Sequence, residues 1–178
     1  MSNQMKRYQV LGLLLFVFAA CTNQKVEDKK EVSVKKQVAI NTNAVLVKND
    51  QLNAAYQQYL LLSDALVNSD MATAKEASMA LELGAKALNG GALLANLSAK
   101  ITASTHLEIQ RSLFAQLSDE MIAKMKQTGL KSGEVYVEFC PMALNDKGAF
   151  WLSNQKQIKN PYYGGSMLDC GEVKETLK

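Results

Sequence analysis

The chain reads as a mainly α protein, an antiparallel four-helix bundle with a small irregular C-terminal β-hairpin and loop cap. Three observations predict this. Apolar residues recur at three- and four-residue steps through the middle of the chain, as in Leu52, Ala55, Tyr59, Leu62 and Leu66, which is the period of an amphipathic helix. The breaks between such runs are short, which favours antiparallel neighbours. After residue 134 the period drops to two, with Val135, Val137 and Phe139 alternating with Glu134, Tyr136 and Glu138, the signature of a strand.

In chain order, the N-terminus comes first. Lys6 and Arg7 precede an apolar run from Val10 to Ala20 that is too short to span a bilayer comfortably. It closes on Phe18-Ala19-Ala20-Cys21, which resembles the bacterial lipoprotein signal. That resemblance implies removal of residues 1–20, lipidation of Cys21, and a chain anchored to the membrane without crossing it. Thr22, not Asp, follows the cysteine. By resemblance to lipoprotein sorting this implies the outer membrane, facing the periplasm. Residues 21–48 read as the lipidated cysteine and a flexible tether, because Lys25 to Lys36 is interleaved with Glu27, Asp28 and Glu31 and shows no sustained period. Residues 49–178 suffice for one domain with its own core.

Charge narrows the partners. The formal net charge of +3 falls to +1 when Lys6 and Arg7 leave with the signal, and Arg111 is then the only arginine. A near-neutral chain of this kind is not expected to bind nucleic acid. The membrane is expected to be a partner through the lipid anchor only.

Asn49 or Asp50 can cap a first helix, which carries the stripe named above. Asp70 opens a second, with Ala74, Ala77, Leu81, Ala85 and Leu88, stopped by Asn89-Gly90-Gly91. Its alanines let a neighbouring helix approach closely. A third covers Leu93 to Ala103. Thr105-x-x-Glu108 is a capping-box pattern ahead of a fourth helix, which carries Ile109, Leu113, Leu117, Met121 and Met125 and ends at Gly129. Beyond the strand, Asn145-Asp146-Lys147-Gly148 reads as a turn from which Ala149 to Leu152 pairs back. Pro161 and Gly164-Gly165 leave the stretch between Trp151 and Met167 mostly loop.

The cap concentrates the chain's uncommon residues: both prolines, the single Trp151, the Tyr162-Tyr163 pair, and the two cysteines left once Cys21 carries lipid. Cys140-Pro141-Met142 and Met167-Leu168-Asp169-Cys170 form a C-x-M and M-x-x-C pair. Two readings stand side by side. Two thiolates and two thioethers are soft donors that select Cu(I) or Ag(I) over harder ions, with Cys140, Met142, Met167 and Cys170 as ligands. An even pair of cysteines in an oxidising compartment also fits a plain Cys140–Cys170 disulfide, worth roughly 3–4 kcal/mol for a loop of this length. In that second reading the chain is a non-enzymatic module that docks on an envelope partner through Trp151, Tyr162 and Tyr163. His106 is the only histidine. A catalytic triad or a His-rich zinc site is therefore not expected, and no paired carboxylates point to acid–base work. The chain is expected not to be an enzyme.

The block CPMALNDKGAFWLS…IKNPYYGGSMLDCGEVKE, with HLEIQRSLFAQLSDEMI upstream, resembles a bacterial domain family of formally unknown function. That family occurs as periplasmic lipoproteins and appended to the periplasmic adaptor subunits of copper and silver efflux pumps. The resemblance covers roughly residues 50–176, and the C-terminal block is its most specific part. In efflux-associated members a histidine often precedes the CPM triplet. Here Phe139 stands there, so one possible ligand is missing. The resemblance implies an association with heavy-metal efflux components and supplies no mechanism.

Overall fold

The structure, a computed structural model, describes residues 44–178. The signal segment, Cys21 and most of the tether lie outside the described residues. Four long helices, α1 (Asp50–Val67), α2 (Met71–Ala87), α3 (Ala92–Ala103) and α4 (Leu107–Thr128), are followed by short antiparallel strands. Each helix packs on the next, and α4 also touches α1. No helix among the described residues is long and apolar enough to cross a membrane.

Local chemistry explains the helix starts. The Asn49 side chain accepts a hydrogen bond from the Leu52 amide at 2.8 Å. Asp70 accepts from Ala72 and Thr73 at 3.1 and 3.0 Å. Each cap satisfies amides that have no partner within the helix, for about 1 kcal/mol. The expected capping box at Thr105 does not form. His106 is the N-cap of α4 and makes no side-chain cap bond. The turn before it is held by Ser104 instead, whose hydroxyl donates to the His106 carbonyl at 3.0 Å and accepts from its amide at 3.3 Å. Glu108, the other half of the expected box, pairs with Arg111 at 3.2 Å. The alanine-rich face of α2 meets α1 closely: a Cβ added at Gly84 would lie 3.7 Å from Ala55.

Two small sheets complete the fold. β1 (Leu46–Val47) pairs with β2 (Leu130–Ser132), so structured chain begins inside the stretch that reads as tether. The second sheet has the order β4-β3-β5, all antiparallel. Its strands are β3 (Val135–Cys140), β4 (Ala149–Ser153) and β5 (Glu172–Leu177). The β3–β4 hairpin matches the expectation from sequence; β5 is an addition to it. Central β3 is covered on both faces, so Glu138 is buried along with Val135 and Val137, where strict alternation would put it in solvent.

An aromatic chain joins helices to sheet. Tyr56, Tyr59, Phe114, Tyr162 and Trp151 follow one another with ring centroids 6.0, 5.1, 5.9 and 5.8 Å apart. Two of their hydroxyls also close the outer edge of β4. Leu152 N–H donates to Tyr59 Oη at 2.9 Å, and Tyr162 Oη donates to the Phe150 carbonyl. Both contacts occupy edge groups that another strand would need for pairing. Arg111, 6% exposed, locks the C-terminal loop to the helices. Its guanidinium donates to the Leu66 carbonyl at 3.2 Å, Ser69 Oγ at 3.1 Å and the Pro161 carbonyl at 3.0 Å. Gly164 packs on the end of α1 at φ +57°, where a Cβ would come within 2.6 Å of the Val67 carbonyl, so only glycine fits.

Candidate metal centre

The pairing of β3 with β5 brings the two cysteines together. Cys140 ends β3 and is fully buried; Cys170 lies two residues before β5 and is half-buried. Their sulfurs are 2.8 Å apart and not bonded. Phe139 sits opposite Glu172, which sets the level at which the chain returns. Gly171 allows the return to be tight. It has φ +142°, and a Cβ there would lie 2.8 Å from Trp151 Cη2 and 3.0 Å from the Phe139 carbonyl.

A ring of hydrogen bonds holds the loops that carry the sulfurs. Asn160, fully buried, donates from Nδ2 to the Cys170 carbonyl at 2.8 Å. Its amide donates to the Leu168 carbonyl at 2.8 Å, and its Oδ1 accepts from the Tyr162 amide at 2.8 Å. The Tyr163 hydroxyl donates to the Met142 carbonyl. The Met167 carbonyl accepts from the Cys170 amide at 3.2 Å. The backbones of Met142, Met167 and Cys170 are therefore held by these bonds, and Cys140 by its pairing with Ala149 across the sheet. Met142 is 44% exposed and Met167 half-buried.

After Met142 the chain makes an unusual turn, with Leu144, Asn145 and Asp146 in succession at φ 55°, 58° and 61°. Left-handed backbone costs roughly 1–2 kcal/mol per ordinary residue and less for Asn and Asp. The turn is held by bonds from Asp146 N–H to the Met142 carbonyl at 3.2 Å and from Gly148 N–H to the Ala143 carbonyl at 3.0 Å. Strain of this kind gathers where a geometry is over-determined by its surroundings.

The electrostatics favour the protonated form of Cys170. The hydrogen bond with Cys140, then burial, pushes the Cys170 thiol up to about 11, and the Met142 amide pulls the other way. Beside them lies a residue that sequence reasoning missed. Glu138 stands on the same face of β3 as Cys140, fully buried, with no hydrogen-bond partner at either carboxylate oxygen. Burial raises its pKa to about 8, and the Trp151 side chain offsets only part of that. Its one signal in the sequence is a carboxylate between Val137 and Phe139 in an otherwise apolar stretch of strand.

Other residues singled out from sequence fall elsewhere. Trp151 and Tyr162 are 1% and 4% exposed, so of the three aromatics read as a partner surface only Tyr163 reaches solvent. Met121 and Met125 are core side chains on α4. His106 is exposed at the start of that helix. Among the described residues no three His, Cys, Asp or Glu side chains gather where they can hold a metal ion. A cavity of about 280 Å³ lies beside the turn, lined by Arg111, Leu144, Asn145, Lys147 and Tyr163 among others, but Arg111 is already committed to the contacts above.

A family model described as a protein of unknown function (DUF3347) matches residues 55–133. The match spans most of α1 through β2 and stops before the strand that carries Cys140. No curated protein and no solved structure matches the chain.

Proposed function

We propose that this chain is a periplasm-facing outer-membrane lipoprotein, anchored through Cys21, in which a four-helix bundle carries a cap that binds a soft metal ion. Cu(I) or Ag(I) is the ion, and the role is that of a metal chaperone, buffer or efflux accessory. The observation that carries the reading is the meeting of Cys140 and Cys170, thirty positions apart in sequence, with sulfurs 2.8 Å apart. Among the described residues no third His, Cys, Asp or Glu is placed to share an ion with the two thiols, which does not fit a four-coordinate zinc site. The two thiols fit a low-coordinate soft cation, with Met142 and Met167 as thioether donors that carry no charge. Burial of Cys140 keeps water from one side of such an ion. The likeness of the C-terminal block to proteins found with copper and silver efflux adaptors supports the same reading.

The test is an anaerobic Cu(I) titration of the reduced chain against a colorimetric chelator. One equivalent held by the wild type and lost in Cys140→Ser is the expected result. Equal affinity in Cys140→Ser refutes the ligand assignment.

One observation favours the second reading, a non-enzymatic module stapled by a Cys140–Cys170 disulfide. Metal–thiolate bonds of about 2.3 Å place two thiolates on one ion about 3.8 Å apart at the tetrahedral angle and about 4.6 Å apart in line. The sulfurs are nearer than that and must separate by an ångström or more to hold an ion, whereas a disulfide needs only a small approach. Thiol counting by alkylation and intact mass, on protein taken from the periplasm without reductant, distinguishes the two.

A further inference from the structure

We infer that Cys140 and Cys170 are a reversible thiol–disulfide pair with a fixed order of reaction, Cys170 exchanging with the outside and Cys140 resolving. Oxidation of the pair closes the metal site. The second statement rests on the soft-metal reading above; the first does not. The asymmetry comes from position. Cys170 is half-buried on a loop, and the exposed Ser166 and Asp169 lie in the same loop. Cys140 is fully buried at the end of the central strand, with Ala149 opposite it on β4. A disulfide reagent from solution meets the Cys170 sulfur first. Once Cys170 is engaged, Cys140 is already 2.8 Å away.

The exchange balances with a disulfide oxidant, R–S–S–R, of small-molecule or protein origin. Cys170 Sγ attacks one sulfur of the oxidant, the S–S bond breaks, and R–SH leaves with the proton that Cys170 gave up. Cys140 Sγ then attacks Cys170 Sγ in the mixed disulfide, and a second R–SH leaves with the Cys140 proton. The protein gives up two electrons and the oxidant accepts them. A dithiol reductant reverses both steps. A disulfide has no thiolate to offer a soft cation, so the oxidised cap releases it. The hydrogen bonds from Asn160 to Cys170 and from Tyr163 to Met142 hold both sulfur-bearing loops throughout, which keeps the change local.

The experiment uses the full chain with Cys21→Ser, so that two thiols remain, treated with glutathione disulfide and followed by intact mass. We expect the otherwise wild-type chain to end as the internal disulfide with no glutathione attached. Adding Cys140→Ser should stop the reaction at one glutathione on Cys170, while adding Cys170→Ser should leave Cys140 unmodified. Glutathione on Cys140 in the Cys170→Ser chain, as fast as on Cys170 in the Cys140→Ser chain, overturns the order. A limited N-ethylmaleimide pulse on the reduced chain, with both cysteines present, checks the same order without relying on a variant's folding. Label on Cys170 first is expected, and label on Cys140 first refutes it. Cu(I) titration of the reduced and oxidised forms tests the gate. Uptake by the reduced form alone supports it, and equal uptake by both overturns the gate while sparing the metal reading. No uptake by either form overturns the metal reading and the gate with it, while the exchange order stands on the mass data.

Discussion

Replacing Glu138 with glutamine removes a titration that the fold has built into its core. The carboxyl is fully buried, has no hydrogen-bond partner, and has a pKa raised from 4.5 to about 8, chiefly by burial. The folded state therefore keeps its proton through a range in which the unfolded chain has lost it. A raised folded pKa contributes stability that is complete below the unfolded value and is lost as pH rises towards the folded one. The loss runs at roughly 1.4 kcal/mol per pH unit without screening. Relaxation of the surroundings around a buried charge reduces this, and we expect about 2–3 kcal/mol between pH 5 and 8. Glu138→Gln keeps the volume and removes the charge. It should match the wild type near pH 5 and exceed its stability by about that amount at pH 8. Urea unfolding under reducing conditions reads this directly, because the single Trp151 pairs with Glu138 across the sheet and reports on that neighbourhood. The difference between the two proteins isolates Glu138. The carboxylates with lowered pKa values, Asp50, Asp70 and Glu134, lose their contributions only as pH falls through lower values. Parallel stability profiles for wild type and variant across pH 5–8 would refute the reasoning.

Gly171→Ala should destabilise the domain by about 2–3 kcal/mol, since its Cβ would press on Trp151 and the Phe139 carbonyl at positive φ; a slower yield of the internal disulfide should accompany the fall in melting temperature. Arg111→Lys keeps the charge but cannot reach the Leu66, Ser69 and Pro161 acceptors together. A loss of about 2–4 kcal/mol in chemical unfolding is expected, and an unchanged midpoint would show that the clamp is not needed. Oxidising Cys140 and Cys170 should stabilise the domain by roughly 3–4 kcal/mol, measured as the shift in urea midpoint on adding reductant, with no shift in the doubly substituted serine variant.

The helices were legible because their information is local. Asn49 and Asp70 supply caps within three residues of the amides they satisfy, and the apolar stripe of α1 is carried by its own period. The β3–β4 hairpin was legible from alternation and the turn residues after Ala143. The capping box at Thr105 was misleading because the same residues had other partners: Ser104 held the turn and Arg111 held Glu108. β1 and β2 are two and three residues long, too short to show any period. β5, Glu-Val-Lys-Glu-Thr-Leu, has four of six residues exposed, so no burial pattern marks it as a strand.

By itself the sequence determined the helical class, the order of the four helices and the β3–β4 hairpin, and a cap in which two cysteines and two methionines recur in mirrored order. Only the tertiary structure decided that Cys140 meets Cys170, that one of them is hidden and the other reachable, and that Glu138 lies beside them without a partner. The physical reason is that each depends on contacts distant in the chain. Strand β5 must return along β3 for the sulfurs to meet. The other face of β3 must be covered for a carboxylate in an alternating strand to lose its solvent, and the covering residues lie on segments that the local pattern around Glu138 does not contain.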